Sequence, residues 1–254
     1  MSGITQHLSD GVMTLTFDRR DRKNSITSAM YADLADALDG ASTLDAVRVV
    51  VFQGHETVFS AGNDIADFLD SPPSGAGSPV YRFLTGIASF PKPLIAAVCG
   101  PAVGIGTTML LHCDLVYAGD NAVFSLPFVD LGLCPEAAAS LLLPQLLGYH
   151  RAAGALLLGE PITADAALAA GLVNRIVTPQ EAGPLAHSQA RKLAAKPIRS
   201  LIETKRLMKM GQAQQVARQM TEEGASFEHM LREPAAREAF TAFMEKRRPD
   251  FSRT

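Results

Sequence analysis

Hydrophobic and polar residues alternate in "VMTLTFD", where Met13, Leu15 and Phe17 are separated by threonines. This two-residue period is typical of a β-strand with one buried face. Further along, "VRVVVFQG" and "PLIAAVCG" are almost continuous apolar runs, rich in β-branched residues, and they predict strands buried on both faces. The short runs "DLVYAG" and "AVFSLP" predict further strands, which alternate with helices as far as "LVNRIV".

A four-residue period marks the first helix, which Thr27 or Ser28 can cap and which carries Met30, Leu34 and Leu38 on one face. More helices are predicted at residues 80–89, 106–112, 136–147 and 163–170. Beyond about residue 178 the pattern is helical to the end, with Pro197 and Pro234 expected in first turns. The sequence therefore predicts an α/β core followed by a helical C-terminal part. The segment 70–79, rich in Gly, Ser and Pro, is expected to be a loop inside the core.

The composition narrows the function classes. The 254 residues suit one large domain, 47% of them are hydrophobic and 19% charged, and the net charge is −3. This charge offers no broad attraction to nucleic acid or to an anionic membrane, and the longest apolar runs are too short to span a bilayer. Cys99, Cys113 and Cys134 lack paired metal-ligand spacing. We therefore expect free thiols, no metal site, no nucleic-acid or membrane partner, and a cytoplasmic location.

Two glycine-rich stretches could hold a ligand with main-chain N–H groups. "FSAGNDIADF", residues 59–68, follows a strand, and its small residues permit close approach to the backbone, although an ordinary strand-to-helix loop would look the same. "CGPAVGIGTT", residues 99–108, ends in a predicted helix start, where free N–H groups favour negative charge. It lacks the third glycine of a dinucleotide-binding loop and the lysine of a Walker loop, which excludes both interpretations.

A single carboxylate, Glu136, lies in the apolar stretch "LPFVDLGLCPEAAAS", residues 126–140. With Pro135 at the first helical position, Glu136 could merely favour the helix dipole, or it could be a base in an apolar pocket. His112 is expected to be a core histidine and Asp114 to satisfy backbone groups. The basic "RRDRKNS", residues 19–25, is either a solvated turn or a phosphate site.

Taken in order, "RRDRKNSI", "FSAGNDIADF", "KPLIAAVCGPAVGIGTTMLLHCDLVYAGDNAVFSLPFVDLGLCPE" and "REAFTAFMEKRRPDF" resemble the crotonase family of enoyl-CoA hydratases and isomerases. The resemblance implies a spiral of ββα units over residues 1–196, which holds the acyl-CoA site. It also implies a helical trimerisation region over residues 197–254, and so a homotrimer or a dimer of trimers. The ligand would be an acyl-CoA thioester. No separate cofactor is expected, because coenzyme A is part of the substrate.

The resemblance also assigns residues. Two main-chain N–H groups that form an oxyanion hole for the thioester oxygen would belong to Ala61 and Ile105. Arg22 and Lys23 would face the phosphates of coenzyme A. The remaining expected contacts with substrate are Phe59, Ser60, Gly62, Asn63, Asp64, Ile65, Gly104, Thr108, Leu126, Phe128 and Leu133.

At two positions the chain departs from the hydratase pattern, because Thr108 and Phe128 stand where hydratases carry their two glutamates. "PFVDLGLCPE" instead resembles the Δ3,Δ2-enoyl-CoA isomerases, in which a glutamate at the place of Glu136 is the base. The prediction is an isomerase of fatty-acid β-oxidation, in which Glu136 moves a proton from C2 to C4 of a 3-enoyl thioester. Apolar neighbours such as Leu131 and Leu133 are expected to raise its carboxyl pKa.

Alternatives remain open at this point. Asp130 is a competing carboxylate six residues away. The reaction could be hydration or another crotonase-type acyl-CoA transformation. A nucleophilic acid, as in aryl-CoA dehalogenation, is disfavoured because aromatic residues such as Trp are lacking at this site. A non-catalytic acyl-CoA-binding protein would also explain Thr108 and Phe128.

Overall fold

The computed structural model describes residues 3–70, 75 and 77–254 of the chain. Its strands are β1 (Ile4–Ser9), β2 (Val12–Phe17), β3 (Val49–Gln53), β4 (Leu94–Val98), β5 (Pro101–Val103), β6 (Leu115–Gly119), β7 (Val123–Ser125), β8 (Ile162–Thr163) and β9 (Arg175–Val177). Its helices are α1 (Ser28–Thr43), α2 (Ile65–Asp70), α3 (Pro79–Ser89), α4 (Ile105–Thr108), α5 (Ala139–Leu147), α6 (Tyr149–Leu157), α7 (Ala164–Ala170), α8 (Pro179–Ala194), α9 (Ile198–Met210), α10 (Ala213–Met230) and α11 (Pro234–Met244). Short 3-10 helices span Arg20–Arg22, Met109–His112, Val129–Leu131 and Phe251–Arg253.

The strands form two sheets. The larger has the order β1-β2-β3-β4-β6-β9 and is parallel except for the β1–β2 hairpin, and the smaller has the order β5-β7-β8. Twice the chain runs from a strand of the large sheet to a strand of the small sheet and then to a helix, as β4–β5–α4 and as β6–β7–α5. This repeated strand–strand–helix unit confirms the predicted α/β spiral.

Both faces of the large sheet are covered, as the continuous apolar runs predicted. Along β3, Val50 and Phe52 face the main core, whereas Val49 and Val51 face a smaller cluster that the alanines of α8 close. Parallel strands need such double cover because helices lie on either side of them. Helix α8 therefore belongs to the core, and α9, α10 and α11 form the C-terminal part.

The first helix also follows the prediction. The Thr27 hydroxyl accepts a hydrogen bond from the main-chain N–H of Met30, and Met30, Leu34 and Leu38 are fully buried. By contrast, strand β1 was not predicted, because five of its six residues face solvent and carry no apolar period. Of the segment 70–79, residues 71–74 and 76 lie outside the described residues, so the loop prediction there is untested.

One predicted helix start is wrong, and it lies at the candidate base. The helix expected over residues 136–147 begins only at Ala139, so Pro135 and Glu136 precede it. Ala137 and Ala138 adopt the left-handed conformation, with φ of 60° and 57°. Residue preference at a helix N-terminus thus does not explain Glu136. Pro234 is in the first turn of α11 as predicted, whereas Pro197 is the residue before α9.

Candidate active site

The two glycine-rich stretches lie side by side. Ser60 pairs with Ala102 in a parallel bridge, and the N–H of Val103 donates to the Ser60 carbonyl at 2.9 Å. Gly62 has a φ of 86°, and a Cβ built on it would lie 2.9 Å from the Val103 carbonyl oxygen. Only glycine allows this approach without displacing one loop from the other.

The basic turn is attached to the first of these loops. The Ser60 hydroxyl donates to the Asn24 carbonyl at 2.9 Å, and Arg19 forms an ion pair with Asp64. Although burial raises the pKa of Asp64, the hydrogen bonds from Arg19, Ser25 and the Asp67 N–H, together with the charge of Arg19, outweigh burial and hold that pKa below its usual value. The side chains of Arg22 and Lys23 remain exposed beside the loop, free to meet a ligand.

One expected oxyanion donor is wrong. The N–H of Ala61 donates to the Lys23 carbonyl at 2.9 Å and is therefore occupied by the fold itself. Within the described residues, no acceptor is found for the N–H groups of Asn63 or Ile105. Beyond Gly62, Asn63 is the first residue whose N–H is available. Asn63 and Ile105 thus each present an open N–H in these two loops, whereas the N–H expected at Ala61 is occupied.

Glu136 is a buried carboxyl with an open oxygen. Its residue is 6% exposed, and among the described residues only two buried side-chain oxygens lack a hydrogen-bond partner, Oε1 of Glu136 and Oγ1 of Thr108. Burial raises the pKa of Glu136 to about 8, with a further contribution from the charge of Glu223. A carboxyl held in this way takes up and releases a proton near neutral pH.

The raised pKa of Glu136 predicts that the free energy of unfolding depends on pH. The folded protein keeps a proton that the unfolded chain loses between pH 4.5 and about 8, so the free energy of unfolding falls as pH rises through that window. We expect Glu136→Gln to be more stable than the wild type by ~2–4 kcal/mol at pH 8.5, with little difference at pH 4.5. Urea unfolding at both pH values measures the gap, and an equal gap at both would contradict the buried ionisation.

Glu136 opens on a largely apolar cavity of about 790 Å³ between α3, α5, α9 and α10. Its walls include Phe68, Val80, Leu84, Leu142 and Phe227, with the Tyr81 hydroxyl and the Glu223 carboxyl among the polar groups. The expectation that the site lacks aromatic rings is therefore wrong, since three of them line the cavity. An apolar space of this size accommodates an acyl chain.

Several residues expected to contact substrate lie in the core instead. Leu126, Phe128 and Leu133 are buried in the main core and are not among the residues that line the cavity. The Phe128 ring does approach the second glycine-rich loop, since a Cβ on Gly104 would lie 4.0 Å from it. Thr108 is buried in α4.

Three other polar residues were considered as possible acids or bases, namely Asp130, His112 and Asp114. Asp130 is exposed and is not part of the cavity wall. His112 is buried with Nε2 donating to the Ala137 carbonyl at 2.7 Å, and burial lowers its pKa to about 4. Asp114 accepts from the main-chain N–H of Leu94 and from Lys205. Both His112 and Asp114 thus have the structural roles predicted for them.

In the described part of the chain no helix is long and apolar enough to cross a bilayer. All three cysteines are free thiols. Burial raises the pKa of each of them, most clearly that of Cys113, to about 12.

Comparison with known proteins agrees with this geometry. The chain is similar to enoyl-CoA delta isomerase 2 of Rattus norvegicus, with 42% identity over 68% of this chain and 46% of that protein, so it spans about half of that relative's length. It is 34% identical to 1,2-epoxyphenylacetyl-CoA isomerase of Escherichia coli K12 over 99% of both chains. The solved structure of Pseudomonas aeruginosa OdaA is 46% identical over 96% of this chain and 99% of its own, with a TM-score of 0.93.

An enoyl-CoA hydratase/isomerase from Pseudoalteromonas atlantica T6c superposes equally well, with a TM-score of 0.93 and 38% identity over 98% of this chain and 100% of its own. The model of the enoyl-CoA hydratase/isomerase family matches residues 7–254, almost the whole sequence. With paired glycine-rich loops, two open N–H groups and a match of this extent, the chain belongs to the enoyl-CoA hydratase/isomerase family, the crotonases.

Proposed function

We propose that the protein is an enoyl-CoA isomerase that shifts the double bond of a 3-enoyl thioester to the 2-position, in fatty-acid β-oxidation. The observation that carries this proposal is Glu136: a buried carboxyl with an unpaired oxygen, a pKa of about 8 and an apolar cavity in front of it. Thr108 and Phe128 stand at the positions of the two hydratase acids, and neither can activate water as a carboxylate does. One base is enough for a proton shuttle.

In the proposed reaction the Glu136 carboxylate removes a proton from C2. The electron pair moves into the thioester to form a dienolate, whose oxygen accepts hydrogen bonds from the N–H groups of Asn63 and Ile105. Glu136 then returns the same proton to C4, and the double bond lies between C2 and C3. No water is added and no atom is lost, which suits a largely apolar cavity.

The basic turn supplies the expected site for coenzyme A. The exposed side chains of Arg22 and Lys23 lie beside the loop that carries Asn63, because Lys23 and Ala61 share a main-chain hydrogen bond. Positive side chains at that position would pair with phosphate oxygens. The main chain over residues 61–65 would then follow the pantetheine arm toward the cavity.

A second substrate class has support from a specific observation. Phe68 and Phe227 stack edge to face, with ring centroids 6.0 Å apart, in the wall of the cavity. Aromatic rings favour an aryl acyl group as well as an aliphatic one. The full-length relative 1,2-epoxyphenylacetyl-CoA isomerase acts on such a thioester by its name. An aryl epoxide is therefore the second candidate substrate.

The decisive experiment offers purified protein 3-hexenoyl-CoA, 2-hexenoyl-CoA and 1,2-epoxyphenylacetyl-CoA in separate reactions. NMR follows the position of the double bond, and mass spectrometry follows the uptake of water. We expect conversion of the 3-enoyl to the 2-enoyl thioester at unchanged mass. Hydration of 2-hexenoyl-CoA, a gain of one water, would overturn the proposal, and turnover of the epoxide alone would favour the second candidate.

Assembly and location complete the proposal. Helices α9 and α11 expose Leu207, Met208, Met210, Phe243 and Met244, each more than half accessible. Apolar surface of this kind marks a contact between proteins, which supports a homotrimer or a dimer of trimers built through residues 197–254. The free thiols support a reducing compartment, the cytoplasm.

A further inference from the structure

A second buried glutamate, Glu223 on α10, holds the turn that carries Glu136. Its Oε2 accepts from the N–H of Ala138 at 2.6 Å, and its Oε1 accepts from the N–H of Ser140 at 2.9 Å and from the Ser140 hydroxyl at 2.5 Å. Gln219, one turn earlier on α10, donates to the same Ser140 hydroxyl at 2.8 Å. Three donors from one short turn thus converge on a carboxylate 83–85 positions away in sequence.

The turn needs such an external partner. Ala137 and Ala138 both have positive φ, a conformation that costs a non-glycine residue ~1–2 kcal/mol each. Helix α5 begins at Ala139 without a side-chain cap of its own, and the acceptors for the N–H groups of Ala138 and Ser140 come from Glu223. Glu223 thus stabilises the turn that follows Glu136, a residue of the cavity wall.

We propose that Glu223 is a positioning residue for Glu136, through which the docking of helix α10 sets the placement and protonation of the base. This inference rests on the proposed isomerase function. Glu223 is not itself a second base, because both of its oxygens already accept hydrogen bonds from the turn. Glu136, with its open Oε1, is left to meet the substrate.

Charge as well as geometry connects the two carboxyls. Besides burial, the charge of Glu223 raises the pKa of Glu136, because like charge disfavours ionisation of the base. The other titratable groups around Glu136 come from α1, α3, its own segment, the 3-10 helix before β6, α9 and α10, namely Tyr31, Tyr81, Cys134, His112, Lys209 and Glu228. Tyr31, Tyr81 and Cys134 have raised pKa values and stay neutral at pH 8. Glu223 is the charged neighbour that contributes to the raised pKa of Glu136, so its removal should lower that pKa.

The test compares Glu223→Gln with Glu222→Gln, which removes the same charge from an exposed position on the same helix. Protein labelled with δ-¹³C glutamate is titrated by NMR, and the Glu136 resonance is assigned by its loss in Glu136→Gln. We expect Glu223→Gln to lower the Glu136 pKa by roughly one unit, and Glu222→Gln to leave it near 8. With 3-hexenoyl-CoA as substrate, the kcat of Glu223→Gln should be ~10- to 100-fold lower than that of the wild type, at a pH where Glu136 is fully ionised. KM should change little.

The pH dependence of kcat/KM distinguishes a positioning role of Glu223 from a role in stability alone. Activity requires the Glu136 carboxylate, so kcat/KM should rise with pH and level off above the pKa of Glu136 in the free enzyme. This rise should occur at lower pH in Glu223→Gln but not in Glu222→Gln. A purely structural role would lower the melting temperature and leave this rise and the ¹³C titration unmoved, which would overturn the proposal. If Glu223→Gln fails to fold, Ser140→Ala removes one donor and is expected to cost ~3- to 10-fold in kcat.

The two proposals can fail separately. Should the wild type shift no double bond in any thioester offered, the isomerase proposal fails. The ¹³C titration would still report whether Glu223 sets the ionisation of Glu136.

Discussion

Glu136→Gln is expected to lower kcat for the shift of 3-hexenoyl-CoA to 2-hexenoyl-CoA by ~10²–10⁴-fold, with the affinity for acyl-CoA retained. The amide has nearly the shape of the carboxyl but cannot accept the C2 proton. Three glutamates line the cavity in the described part of the chain: Glu136 has a buried oxygen without a hydrogen-bond partner, whereas Glu223 accepts bonds from the turn and Glu228 accepts from the main-chain N–H of Gly75. NMR of the double-bond position measures turnover, and calorimetry with saturated hexanoyl-CoA measures binding.

The matched control is Asp130→Asn, which changes the competing carboxylate six residues away. Asp130 is exposed and outside the cavity wall, so its variant should turn over substrate at the wild-type rate. Unchanged turnover in Glu136→Gln would remove Glu136 as the base. Loss of turnover in Asp130→Asn alone would transfer the role to that residue.

Gly62→Ala is expected to reduce kcat by ~10²–10³-fold, the effect of losing one oxyanion donor. The added Cβ would lie 2.9 Å from the Val103 carbonyl oxygen, so the first loop must move away from the second. In the proposed reaction the N–H of Asn63, the next residue, would then no longer reach the thioester oxygen together with the N–H of Ile105. The melting temperature should fall as well, because φ at Gly62 is 86° and strains any residue with a Cβ.

Gly171→Ala separates the loss of stability from the loss of geometry. Gly171 ends α7 with a nearly identical φ of 84°, and a Cβ there would meet only Leu146, at 3.9 Å. It should lower stability by ~1–2 kcal/mol through backbone strain and leave kcat unchanged. Wild-type kcat in folded Gly62→Ala would show that the spacing of the two loops does not form the oxyanion hole.

Much of the fold could be predicted because the relevant signals are local. The two apolar runs were recognisable as β3 and β4, and the spacing of Met30, Leu34 and Leu38 as the buried face of α1. Strand β1 was missed because it is exposed along nearly its whole length. Its pairing with β2 depends on hydrogen bonds between strands, which leave no apolar period in the sequence.

At the candidate site, too, the sequence identified the loops and the carboxylate but not the hydrogen bonds that the folded chain forms. Motif resemblance identified both glycine-rich loops and Glu136, yet it assigned an oxyanion N–H to Ala61. Whether a main-chain N–H is free depends on which carbonyl lies opposite it, and Lys23 reaches Ala61 only in the folded chain. The local argument for Glu136 was also incorrect, since no helix begins there, although its placement facing an apolar cavity agrees with the base role.

By itself, then, the sequence determined the family, most of the buried strands and helices of the core, and the carboxylate to consider. These depend on residue type and on spacing over a few tens of positions. Only the tertiary structure decided which N–H groups are open, that Glu136 is desolvated with a pKa of about 8, and that Glu223 supports it from α10. Desolvation and hydrogen-bond satisfaction are properties of groups brought together from distant parts of the chain, and no local pattern encodes them.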